Sequence, residues 1–171
     1  MRPAASRLLL PRMVGALLLR PATYCEVALD ESAAIQAGLL IVIVGVTEGA
    51  IRSTVLVYSV LAALIGWLVW SAIVSVVAGR LFNHPIDFRV AARAVAFAHA
   101  PALVYGLAAV VPSRWEGLVW GTSLLWFAAA LVACVEGLLQ VTVSRALGIT
   151  ATALVTHEVI HQVLFLAGLM G

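Results

Sequence analysis

Residues 38–44 read Gly-Leu-Leu-Ile-Val-Ile-Val, the centre of a mostly apolar run from Ala33 to Ile51. A helix needs about 20 apolar residues to cross roughly 30 Å of hydrocarbon, so this run has the length of a membrane span. Working outward, four more runs of the same kind follow, at about 55–79, 90–111, 115–140 and 149–170. Short polar connections separate them: Arg52-Ser53, the stretch 80–89 with Asn83, His84, Pro85 and Asp87, then Pro112-Ser113-Arg114, and Ser144-Arg145. Over all 171 residues the chain is 64% hydrophobic and 11% charged, with a mean hydropathy of +1.12. A water-soluble chain of that length needs far more polar surface, so hydrocarbon is the solvent. Helices satisfy their own backbone in lipid, whereas a barrel would show alternating segments of about ten residues. The expected fold is therefore all-α: a polytopic membrane bundle of five transmembrane helices with a short amphipathic N-terminal segment.

All ten basic residues are arginine, and their distribution sets the orientation. With the N-terminus in the cytoplasm, that side holds Arg2, Arg7, Arg12, Arg20, Arg80, Arg89, Arg93 and Arg145. The opposite side holds Arg52 and Arg114 alone. Five spans then leave the C-terminus non-cytoplasmic. Residues 1–32 read as a cytoplasmic or interfacial segment ahead of the membrane domain 33–171. Pro11 and Arg12 break the apolar core a signal peptide would need, and Met13–Leu19 is too short to span. An amphipathic helix in the interface fits, with leucines in the acyl boundary and arginines at headgroups. Met13 is an alternative start of translation. Asp30 or Ser32 is the expected cap of the first span.

A net charge of +2, scattered along the chain, excludes a nucleic-acid footprint. Cys25 and Cys134 are too few and too far apart for a disulfide framework or a metal cluster. Three pieces of sequence carry a resemblance: Arg20-Pro21 through Ala34, Gly66-Trp67-Leu68-Val69-Trp70, and Leu81-Phe82 through Pro101, with its RVAARAVAFAHAPAL run. The linkage Glu136 to Ala146, with Ser144-Arg145-Ala146, fits the same pattern. Together they resemble a bacterial member of the Yip1 family, over most of the chain from about residue 13. The resemblance implies five membrane helices and a cytoplasmic N-terminus, with no catalytic motif; the bare membrane domain, the all-arginine basic usage and the alanine richness point to a bacterial inner membrane. Eukaryotic relatives are associated with vesicle trafficking and Rab-type small GTPases and carry a larger cytoplasmic N-terminal domain. The likeness here is to the membrane part.

The sharpest chemical signal is His157-Glu158-Val159-Ile160-His161, an H-E-x-x-H match. Positions four apart share a helix face, so His157 and His161 can hold a Zn2+ while Glu158 activates its water. A catalytic zinc also needs a third protein ligand, and no candidate (Glu136, His84, Asp87 or His99) stands at a protease spacing. The simpler reading is a polar stripe inside the bundle, with Thr150 on the same face and Gln162 beside it. His99, Glu136, His157, Glu158 and His161 form the candidate intramembrane polar cluster, and ionisable groups there deserve a functional hypothesis. Glu48 and Glu136 sit near span ends. Pro101 removes the hydrogen bond to the Phe97 carbonyl and bends the third helix beside His99. Arg93 reaches the cytoplasmic surface or pairs with Asp87. The tryptophans read as packing and lipid contacts, although a ligand cage is a second use for Trp67, Trp70, Trp115, Trp120 and Trp126.

The sequence thus points to a non-enzymatic, multi-pass inner-membrane module with no catalytic residue and no cofactor. Its partners would be the bilayer, other membrane proteins or copies of itself. An intramembrane zinc metalloprotease is the enzyme-class alternative, and a small proton-linked transporter or channel is the third.

Overall fold

The computed structural model describes residues 8–51 and 55–166, with the side chains of residues 160, 161 and 163–166 outside that description. Seven α-helices occupy most of this length: α1 (Leu9–Leu17), α2 (Pro21–Leu29), α3 (Ala33–Ile51), α4 (Leu56–Leu81), α5 (Phe88–Ala98), α6 (Glu116–Leu139) and α7 (Val143–Leu166). Two 3-10 helices, Ala100–Ala109 and Ser113–Trp115, join α5 to α6. No strand occurs among the described residues, so the all-α class holds.

Four stretches are long and apolar enough to cross a membrane: α3, α4, Phe88–Ala109 and Ser113–Leu139. This corrects the expected five. α7 has the length, at 24 residues, but it crowds His157, Glu158, His161 and Gln162 into fewer than two turns. Each of those groups costs free energy in hydrocarbon. The end of the expected span, beyond Leu166, lies outside the described residues.

Local chemistry explains where the helices start and stop. Pro21 opens α2 at its first position, where its missing N–H costs nothing. The Asp87 carboxylate caps α5 by accepting the N–H groups of Arg89 and Val90, at 2.8 and 3.4 Å. Gln140, in the left-handed region at φ 52°, ends α6. Within the helices Ser71, Ser75, Thr47, Ser123, Thr152 and Thr156 each donate to a carbonyl one turn back. Such back-bonding satisfies a hydroxyl where no water reaches.

Packing follows small residues. Gly45 and Gly49, one turn apart, bring α3 against α4 so closely that a β-carbon on Gly45 would stand 2.7 Å from the Val60 Cα. The core runs through the middle of the bundle, with Leu40 and Ile41 from α3, Val74 from α4, Val95 and Phe97 from α5, and Leu131 and Val135 from α6 all buried. On the outside, Val57, Leu61, Ile65 and Leu68 form an exposed apolar stripe along α4. Outward apolar stripes need a hydrocarbon solvent.

The N-terminal helices do not lie apart from this bundle. Tyr24, Val27 and Ala28 of α2 and Ala16 of α1 are buried in the same core. Trp126, midway along α6, donates its indole N–H to the Leu17 carbonyl at 3.0 Å. α1 is amphipathic, with Leu10 and Val14, and Leu18 at its C-cap, exposed as an interfacial helix requires. Its arginine, however, points inward. Arg12 is 3% exposed, which corrects the expectation of a headgroup contact. Its guanidinium donates to Glu26 Oε1 and Gln36 Oε1, each at 3.0 Å, and to Asp30 Oδ2 at 2.5 Å, tying α1 to α2 and α3. Arg93 is a second correction: it neither meets Asp87 nor runs free, but donates from Nε and Nη2 to the Ala28 carbonyl at 3.1 and 2.5 Å. A cation at the C-terminal end of α2 meets the negative pole of that helix.

Candidate functional site

Pro101 creates the site. It cannot donate to a helical ladder, so α5 ends at Ala98 and the chain tightens into the 3-10 helix Ala100–Ala109. At three residues per turn, His99, Ala102 and Tyr105 fall on one side of this segment. They face a stripe on α6 spaced by four, three and four: Glu116, Trp120, Ser123 and Phe127. Glu48, at the far end of α3, closes the third side, where Gly106 lies against Thr47.

Between these elements lies a cavity of about 210 Å³. Its aromatic walls are Trp70, Trp120, Phe127 and Tyr105, and its polar groups come from Glu48, His99 and Ser123. A second hollow shares Tyr105 and Trp120 with it and adds Glu116 and Ser113. Trp120 and Leu124 line the first cavity and are about half exposed, so they mark its mouth. No arginine lines either hollow.

The rings brace one another. His157 of α7 stacks on Trp70 with centroids 4.5 Å apart and planes 10° from parallel. Trp70 meets Phe127 edge-on at 5.7 Å, and Phe127 meets His99 at 4.9 Å. Offset and edge contacts of this kind are the favoured aromatic arrangements. His99 Nδ1 lies 2.9 Å from the Val95 carbonyl. A carbonyl only accepts, so Nδ1 carries the proton, which in the neutral ring leaves Nε2 as an acceptor.

The five candidate cluster residues separate. His99 lines the cavity, and His157 stacks on Trp70, one of the rings of its wall. Glu158 is on the exposed face of α7, where it accepts the Gln162 amide N–H at 2.6 Å. Glu136 is half-buried in the last turn of α6, at the opposite end of the bundle from Glu48. The His161 side chain lies outside the described residues. Among the described residues no group of three metal-ligating side chains comes together. Thr150, expected on the polar stripe, is buried, and its hydroxyl has no partner among the described residues. Sequence reasoning placed Glu48 at a span end and missed Tyr105, Ser123 and the cavity role of Trp120. The α6 stripe was a legible signal; the 3-10 spacing was not.

A family model described as the Yip1 domain matches residues 6–166, nearly the whole chain. No curated protein and no solved structure matches it.

Proposed function

The chain belongs to the Yip1 family, and from that premise we propose that it is a non-enzymatic interaction module of the bacterial inner membrane, working through lateral helix contacts with a second copy of itself. It is a multi-pass membrane protein, and the arginine balance supports a cytoplasmic N-terminus. α7 starts at Val143, with Arg145 in its first turn on the arginine-rich side, and runs antiparallel to α4, with Gly148 near Phe82 and His157 on Trp70. On this reading α7 enters the bilayer from the cytoplasmic side beside the four apolar spans, and its C-terminal end points away from the cytoplasm.

The observation that carries the reading is the outward face of α7. Ala151, Val155, Val159 and the Glu158–Gln162 pair are exposed there, level with the middle of α4. An acid facing hydrocarbon at mid-bilayer depth costs about 2.5–3.5 kcal/mol on insertion scales, so the face of α7 that bears one is stabilised by a covering helix. A second α7 suits it. The glutamine amide both donates and accepts, and the carboxyl accepts, so the pair complements its own copy. Cysteine crosslinking in native membranes tests this. With Cys25→Ser as background, Val159→Cys should form a dimer, and Glu158→Leu with Gln162→Leu should abolish it. A Val159→Cys chain that stays monomeric, or a dimer indifferent to the double substitution, sinks the reading.

A further inference from the structure

The cavity has a chemical signature that helix packing does not use. Apart from the indole N–H groups of Trp70 and Trp120, every polar side chain in its lining presents acceptors. Glu48 offers a carboxylate, the Ser123 hydroxyl spends its proton on the Val119 carbonyl at 2.9 Å, and the Tyr105 hydroxyl donates to Glu116 Oε1 at 3.3 Å. His99 spends its Nδ1 proton on the Val95 carbonyl, leaving Nε2 to accept. Around these acceptors stand four aromatic rings, of which Trp70 and Phe127 are held by ring contacts with each other, with His157 and with His99. Two carboxylates, Glu48 and Glu116, line the paired hollows, and the arginine-rich end of the bundle is remote from them. Acceptor-rich chemistry beside carboxylates disfavours anions and leaves a neutral apolar guest with dehydrated oxygens around it. Aromatic faces beside a carboxylate favour a cation that carries N–H donors.

We infer that this cavity is a binding site for a primary alkylammonium group, seated against Trp120 and Trp70 and paired with Glu48. The volume fits a small headgroup: a dry cavity of roughly 150 Å³ holds a benzene, and this one has about 210 Å³. A primary amine is charged at neutral pH, since its ordinary pKa is about 10.4. Its three donors match the carboxylate, hydroxyl and imidazole acceptors. The mouth at Trp120 and Leu124, on the exposed side of α6, admits the group either from a lipid headgroup or from a soluble amine.

The test uses the full chain in nanodiscs of phosphatidylglycerol, which carries no ammonium, titrated calorimetrically with ethanolammonium chloride against empty discs. Saturable binding is expected, weakened about tenfold or more in Glu48→Gln and in Trp120→Leu. The neutral, similarly sized 1,2-propanediol should bind at least tenfold more weakly. Trp120 is half exposed, so its loss leaves the core intact, and circular dichroism of both variants checks this. The source is read by repeating the titration in discs containing phosphatidylethanolamine. Competition by that lipid, with its retention on the protein in native mass spectrometry, identifies a lipid headgroup; an unchanged titration identifies a soluble amine. Absence of binding in both disc types, equal binding of the diol, or a Glu48→Gln isotherm superposable on wild type overturns the inference.

Discussion

Arg12 offers the most direct test of how the N-terminal helices are held. Its guanidinium is 3% exposed and bridges Glu26, Asp30 and Gln36, so it joins three helices through one side chain. Arg12→Met keeps the stem and removes the charge. Orphaning a fully buried partner costs roughly 3–5 kcal/mol. Here the partners are not dry: the Glu26 and Asp30 side chains keep 31% and 25% of their exposure and rehydrate in part. Hydrogen bonds to charged groups contribute about 1.5–3 kcal/mol each before that recovery, which leaves a net loss of about 2 kcal/mol. Titration with SDS of the protein in a mild detergent, followed by tryptophan emission, measures the loss. Arg12→Lys should fall between wild type and Arg12→Met, because an ammonium cannot reach three acceptors in a plane. The decisive variant combines Arg12→Met with Glu26→Gln and Asp30→Asn. Replacing the whole charged group should recover most of the stability, since the penalty lies in the orphaned acids. The reasoning is refuted if Arg12→Met lies within about 0.5 kcal/mol of wild type, or if the triple variant is the least stable of the set.

Other outcomes follow from single contacts. The Asp30 carboxyl is held down to about 2, first by the Ser32 hydroxyl and then by Arg12. Its folded value is below the unfolded one of about 3.9, so its contribution is complete above pH ~4 and disappears as pH falls from about 4 to 2. Melting temperatures at pH 5 and pH 3 should show the drop, and Asp30→Asn should flatten it. A β-carbon on Gly137 would overlap the Pro21 carbonyl oxygen and stand 3.0 Å from the Pro21 Cα. Gly137→Ala should therefore cost about 1–3 kcal/mol by pushing α2 off α6, whereas Gly121→Ala, with open space around it, should cost nothing in the same assay. Trp67 donates its indole N–H to the Ala92 carbonyl at 2.8 Å. Trp67→Phe should lose about 0.6–1 kcal/mol in SDS titration.

The apolar runs at Ala33–Ile51 and Leu56–Leu81 fixed helix, length and solvent before any contact was known, because hydrocarbon imposes internal hydrogen bonding on whatever crosses it. Pro101 likewise announced a break, since the lost N–H and the ring clash are properties of the residue itself. Arginine counting supplied an orientation for the same local reason. Partnership was another matter. Arg12 read as a surface cation, and only the crossing of α1, α2 and α3 turned it inward onto Glu26, Asp30 and Gln36. The five ionisable residues read as one cluster, yet Glu158 faces outward and Glu136 lies at the other end of the bundle from Glu48. Helix phase alone does not say which face a neighbour covers. The cavity shows the division most plainly. On α6 the stripe Glu116, Trp120, Ser123, Phe127 keeps α-helical phase and is visible in the letters. His99 and Tyr105 share a side only because that segment winds at three residues per turn, and Glu48 joins them from α3, more than fifty residues away in the chain. Sequence determined the solvent and the helices; the site was decided by a local change of pitch and by which helices touch.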